Sequence, residues 1–286
     1  MSLPVARLAV VISSLLLLSS VGFADEKEQL DGFVKGWLRW RDRTANAEVR
    51  YSKASKGVNT TNKALTEDTQ WYLRQKGDLW RADRDKLNPA GKRQIDSWVI
   101  GASESYYLTA ADDAGPWTLL FRGTDPIVKE QILDARGFVE MPWSICGFDL
   151  ASVTSKPPFK IKKTAPAKSP YGDSWEIDFT YQPADPKSTA IRGGKMLVGK
   201  DVDFGIIHGD FQTDWGSVVV DNVFAIRRDG PVLLSSKQSA LNKAGAGFIV
   251  EFDLKNVELG KKLAGEVFTL SAFGLADETR PLIPMK

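Results

Sequence analysis

Cys146 and His208 are the only cysteine and the only histidine in 286 residues. Together they could supply a thiol–imidazole pair, in which the imidazole takes the thiol proton and the thiolate attacks an electrophilic carbon. Cys146 stands in Ser144-Ile145-Cys146-Gly147-Phe148, however, an apolar run that reads as the surroundings of a buried core cysteine. His208-Gly209-Asp210, with Asp203 and Asp214 near it, offers one imidazole and three carboxylates. Such a set can hold a divalent cation, but irregular spacing and frequent glycine read as a solvated turn. Asp112-Asp113 is a carboxylate pair of the kind that does general acid–base work when buried; it precedes Ala114-Gly115-Pro116 and reads as a turn between strands.

These counts exclude much. One cysteine leaves no internal disulfide and no cysteine-rich zinc site, and one histidine removes every centre needing two imidazoles. The chain has no Gly-x-Ser-x-Gly elbow, phosphate loop or His-Glu-x-x-His motif. An enzyme is therefore not expected, and neither is a metal or a cofactor; a hydrolase would have to work with carboxylates alone. Lys and Arg number 38 and Asp and Glu 36, for a net charge of +2, without the basic excess of a nucleic-acid binder. The hydrophobic share is 43% and the charged share 26%, the composition of a globular protein.

Residues 1–24 read as a secretory signal. Arg7 precedes the apolar stretch from Leu8 to Leu18, and Gly22 and Ala24 occupy the −3 and −1 positions of a small-residue cleavage site. The expectation is an exported chain beginning at Asp25, located in a periplasm or outside the cell, with residues 25–286 as a single domain.

The elements follow from hydrophobic period. Leu30, Phe33, Val34, Trp37 and Leu38 recur at helical spacing and predict a helix over 26–43. Gly32 and Gly36 weaken that helix by about 1 kcal/mol each relative to alanine, and would let it approach another surface closely. Beyond it the period becomes two. Strands are expected at 46–56, 66–76, 79–84, 94–102, 103–110 and 116–122, with no intervening helices, as in an antiparallel meander. Asp125-Pro126 suits a helix start, and 125–153 reads as short helical turns covering something. Residues 155–172 hold four prolines and five lysines and read as a linker or loop with at most one edge strand. The lysines there would meet an anionic membrane surface or simply be solvated. Residues 186–217 read as loops with one or two short strands. Alternation returns at 175–181, 218–226 and 248–254, with the last strand ending near Leu270.

An antiparallel sheet with one apolar face must cover it. Two small helical elements are little cover for so many strands, so the sheet must curl around them. The fold class is α+β: mainly antiparallel sheet, curled into an unclosed β-barrel, with an N-terminal helix and a mid-chain helical plug. Trp71, Leu73, Trp80, Trp98, Tyr106, Leu108, Trp175 and Phe179 are then candidates either to line a ligand cavity or to form an ordinary sheet core.

The order of elements resembles the bacterial LolA/LolB-like lipoprotein-carrier superfamily. The resemblance rests on a helix leading into Val49-Arg50-Tyr51-Ser52, the hairpin from Trp71 to Asp83 through Lys76-Gly77-Asp78, the strands around Trp98 and Tyr106-Tyr107-Leu108, a mid-chain plug, and a close on Glu266-Val267-Phe268-Thr269-Leu270. It covers most of 26–150 and 245–272. It implies a half-barrel whose apolar cavity holds acyl chains, plug positions at Trp37, Phe138 and Trp143, and gating by Arg50 and Arg81 through bonds to backbone carbonyls. Two departures stand out: family hairpins often carry a proline where Lys76-Gly77-Asp78 stands, and 155–217 is longer than a plain carrier needs. The implied function is a non-enzymatic exported protein binding a lipid or acylated peptide. The alternative is an exported protein–protein interaction or sensor module using the same curved sheet. The partners expected are thus a hydrophobic ligand, a membrane surface or an exported protein, and no nucleic acid.

Overall fold

Two series of hairpins, each joining strands adjacent in sequence, share a single sheet. The computed structural model describes residues 30–61, 66–113, 115–123, 141–145, 148–149, 159–182 and 191–276. The signal segment 1–24, Phe138, Cys146 and most of the plug expected at 125–153 lie outside the described residues. The N-terminal series is β1 (Asn46–Val58), β2 (Glu67–Lys76), β3 (Leu79–Leu87), β4 (Arg93–Ile100), β5 (Ser105–Ala110) and β6 (Thr118–Gly123). A two-residue pair follows, β7 (Ser144–Ile145) with β8 (Phe148–Asp149). The second series is β9 (Phe159–Ser169), β10 (Gly172–Tyr181), β11 (Ile191–Gly199), β12 (Gly205–Thr213), β13 (Gly216–Arg227), β14 (Gly230–Asn242) and β15 (Gly247–Leu259). The thirteen-stranded sheet runs from β6 through β1, across to β15, and on to β9. Its first and last strands are edges, so the barrel is unclosed.

Residues 155–172 thus contribute an edge strand, β9. Its exposed Lys160, Lys162 and Lys163 are a common means of blunting an unpaired edge. Two expectations need correction. The stretch 186–217, read as loops with one or two short strands, does hold two strands, β11 and β12, but each is nine residues long. Glycine hid them: a Cβ at Gly209 would lie 2.3 Å from the Phe211 ring, so the neighbouring aromatic fills the glycine's place on the pleat. The chain also leaves the sheet at Leu259, not near Leu270. Two 3-10 turns, Gly265–Phe268 and Leu270–Phe273, bury Phe268, Leu270 and Phe273 against Val99, Tyr106, Leu108 and Leu119.

One face of the sheet is apolar across both series. Register ties it together: Trp98 opposes Ala82, Ala82 opposes Leu73, and Leu73 opposes Val49. Trp71 opposes Tyr51, which opposes Leu254. On the far side the same face carries Val220, Met196, Ile177 and Phe179. Helix α1, described over 30–44, lies on this inner face. Phe33 joins the cluster of the second series and Trp40 that of the first. The buried stripe drifts from the expected one: Leu38 is exposed, and Trp40 is buried in its stead.

Candidate functional site

The inner face of the first series carries a row of stacked rings. Tyr51 stacks on Trp71 with centroids 6.0 Å apart, Trp71 on Trp98 at 5.9 Å, and Trp98 on Tyr107 at 5.3 Å, all within 21° of parallel. Period-two alternation sets this row, because each ring occupies an inward position of β1, β2, β4 or β5. β3 contributes Arg84 instead, whose guanidinium lies 4.8 Å from the Trp98 ring centre and 5.6 Å from that of Trp71. A cation over an indole face is held by the ring quadrupole. Burial pushes the Tyr51 phenol up, so this end of the row is neutral at every physiological pH.

Arg84 is anchored by Asp96, whose side chain is wholly buried. Arg84 Nη2 and Lys86 Nζ each lie 2.8 Å from Asp96 Oδ2, and Gln94 Nε2 donates to Oδ1 at 2.6 Å. Burial alone would raise this carboxyl, but the hydrogen bonds from Arg84, Lys86 and Gln94 prevail and hold it below the usual carboxylate range. The Tyr107 hydroxyl, raised by burial and by Asp96, closes the cluster. The inner face therefore offers a rigid aromatic floor with one fixed polar corner.

α1 is set over this floor through a close contact with the turn after residues 200–202. Asp203 adopts a left-handed backbone, and its carboxylate takes Arg39 Nε and Arg43 Nη2, each at 2.8 Å. Trp143 Nε1 donates to the Asp203 carbonyl at 2.9 Å, and the wholly buried Trp143 ring stacks on Trp40 at 4.7 Å. Gly32 and Gly36 make this approach possible. A Cβ at Gly32 would lie 2.5 Å from the Phe204 ring, and one at Gly36 would lie 1.8 Å from the Asp203 carbonyl oxygen.

The structure divides the residues singled out in the sequence. Trp71, Leu73, Trp80 and Trp98 gather in the inner cluster with Trp40 and Trp143, and Trp37 packs against it. Trp175 and Phe179 sit farther along the same face; Trp175 stacks on Phe204 at 5.5 Å. Tyr106 and Leu108 lie on the other face, under the C-terminal 3-10 turns. Arg50 and Arg81 also face outward, away from α1: Arg50 lies 4.2 Å over the Tyr72 ring, and Arg81 bonds Asp83. The chemical candidates among the described residues are engaged in local contacts. His208 Nδ1 meets Asp221 Oδ1 at 2.7 Å, Asp214 pairs with Arg192, and Asp203 holds the helix. Among the described residues no group of three or more His, Cys, Asp and Glu is arranged to hold a metal, and no helix is long and apolar enough to cross a membrane. Sequence reasoning missed Tyr107, Arg84 and Asp96; the strand order alone puts them beside Trp98.

No protein-family model matches the chain, and no curated protein matches its sequence. Among solved structures, it is similar to a DUF1329 family protein from Desulfovibrio piger, with 12% identity over 86% of this chain and 98% of the other and a TM-score of 0.45. It is also similar to a LolA superfamily protein from Nitrosomonas europaea, with 11% identity over 85% of this chain and 98% of the other and a TM-score of 0.41.

Proposed function

We propose that this protein is a non-enzymatic, exported binder of a hydrophobic ligand, a lipid or an acylated peptide, held against the inner face of the sheet. The observation that supports this reading is the continuity of that face. Its apolar lining extends through both hairpin series, whereas among the described residues α1 is the one α-helix laid on it. Along β15, Phe248 remains 37% exposed and Phe252 and Leu254 remain partly exposed, although all three point inward. Each methylene of an acyl chain moved from water onto such a surface contributes about 0.8 kcal/mol. The Arg84–Asp96–Lys86 corner would orient a polar end without itself being left unpaired.

The test is native mass spectrometry of protein purified from its own compartment, with organic extraction of whatever is bound. A co-purifying acyl-bearing species, and displacement of a fluorescent acyl probe with a change in tryptophan emission, is the expected result. A ligand-free protein that takes up no probe would overturn the reading.

A further inference from the structure

The outward face of β1–β4 carries a groove of about 640 Å³ whose lining holds five cations and three carboxylates. It lies across the sheet from the aromatic row, because its charged residues occupy the alternate positions: Arg50 and Arg74, with Tyr72, between the inward ones, and Arg81 and Asp83 opposite Arg74 and Tyr72. Register sets Arg74 directly against Arg81, a like-charge cross-strand pair that is unfavourable by itself. One carboxylate, Asp83, serves both: it pairs with Arg74 and takes Arg81 Nε at 3.0 Å. Burial pushes the Arg81 guanidinium down despite Asp83, and the ring of Phe273 beneath it, 4.1 Å away, supplies no charge. Tyr72 is clamped between two guanidinium groups, Arg50 at 4.2 Å and Arg74 at 3.7 Å. Its hydroxyl donates to Glu48, which Lys261 also binds.

Arg50 completes the cluster from the exposed side. Its contact is with Tyr72, and among the described residues it makes no ion pair with a carboxylate. A bulge in the β1–β15 register beside Arg50 leaves Lys255 without a Cα partner on β1, and Lys255 also lines the groove. At the other end Arg93 is bound by Asp85 at 2.6 Å and reaches Asp113 at 3.4 Å. Excess positive charge therefore collects around Arg50, Arg74 and Arg81, on rigid strands, with two guanidinium planes already fixed by a ring. Guanidinium forks match phosphate oxygens in geometry, and a doubly charged oxyanion would relieve the Arg74–Arg81 repulsion.

We infer that this outward groove is a binding site for a phosphate-bearing ligand, centred on Arg50, Arg74 and Arg81. The phosphate is that of a soluble molecule or of a lipid headgroup, and the experiment separates the two. Wild type, Arg50→Gln and, as a distant control on β11, Lys195→Gln are compared by calorimetric titration with inorganic phosphate and by flotation with vesicles of phosphatidylglycerol or phosphatidylcholine. Arg50 is exposed, so its substitution leaves the core intact, which circular dichroism verifies. Saturable phosphate binding that Arg50→Gln weakens about tenfold and Lys195→Gln leaves unchanged establishes a soluble ligand. Flotation with phosphatidylglycerol only, lost in Arg50→Gln and without phosphate binding, establishes a headgroup. Binding to neither, equal effects of the two substitutions, or equal flotation with both lipids overturns the inference.

Discussion

Replacing Gly36 by alanine separates two opposing effects whose sum has a definite sign. In an exposed helix the change stabilises by about 1 kcal/mol, because alanine is the better helix former. Here the new methyl would lie 1.8 Å from the Asp203 carbonyl oxygen, and ordinary contact begins near 3.4 Å. The obstacle is backbone, in a turn that Arg39, Arg43 and Trp143 already hold. α1 must therefore retreat by more than an ångström, which breaks the Trp143–Asp203 bond and loosens the Trp40–Trp143 stack. A lost buried hydrogen bond costs about 1–3 kcal/mol, and a displaced aromatic pair about 0.5–1.5 kcal/mol. Bonds from Arg39 count for little, since that side chain is half exposed. The net expectation is destabilisation by about 0.5–3.5 kcal/mol after the helix-propensity gain is subtracted. Urea unfolding followed by tryptophan fluorescence reads this directly, with the denaturant slope as a check on two-state behaviour. A Gly36→Ala protein as stable as the parent, or more so, would refute the close seating of α1 on the 203–204 turn.

Asp96→Asn should destabilise by about 3–5 kcal/mol, since it leaves Arg84 and Lys86 facing a neutral amide in a buried corner; thermal unfolding measures it. The same carboxylate sets a pH dependence. Its folded pKa lies below the unfolded value, so its contribution is full above about pH 4 and declines as pH falls through the folded pKa. Acid titration of wild type should show that loss, and Asp96→Asn should lack it. Phe268→Ala, at a ring only 1% exposed, should cost about 3–5 kcal/mol and raise amide exchange in β4 and β5. Unchanged exchange there would mean that the C-terminal turns do not cover the outward face of β4 and β5.

The helix and most strands were legible because their burial is one-sided. Alternation in β2, β10 and β13 shows plainly in residue type, since polar positions there face water. β4 defeats this, because Ile95 to Val99 are all buried and the second covering layer comes from residues 265–273, far along the chain. Residue type alone therefore groups Tyr106 and Leu108 with Trp98, whereas on β5 it is Tyr107 that stands beside it. β11 and β12 lost their pattern to Gly193, Gly194 and Gly209, whose places are filled by backbone and by Phe211. The arginine groove has no periodic signature, because Arg50, Arg74 and Arg81 become neighbours only through the registers of β1, β2 and β3.

Every strand in the large sheet but two pairs with its immediate successors in sequence; the join of β1 to β15 couples segments 201 residues apart, as at Ser52 and Asp253. Each meander can therefore zip up locally, whereas their union must await a distant encounter with a large loop-closure cost. That seam runs beneath Tyr51 and Leu254, at the middle of the apolar inner face, so the contact order predicts that the two hairpin series gain their common floor late in folding.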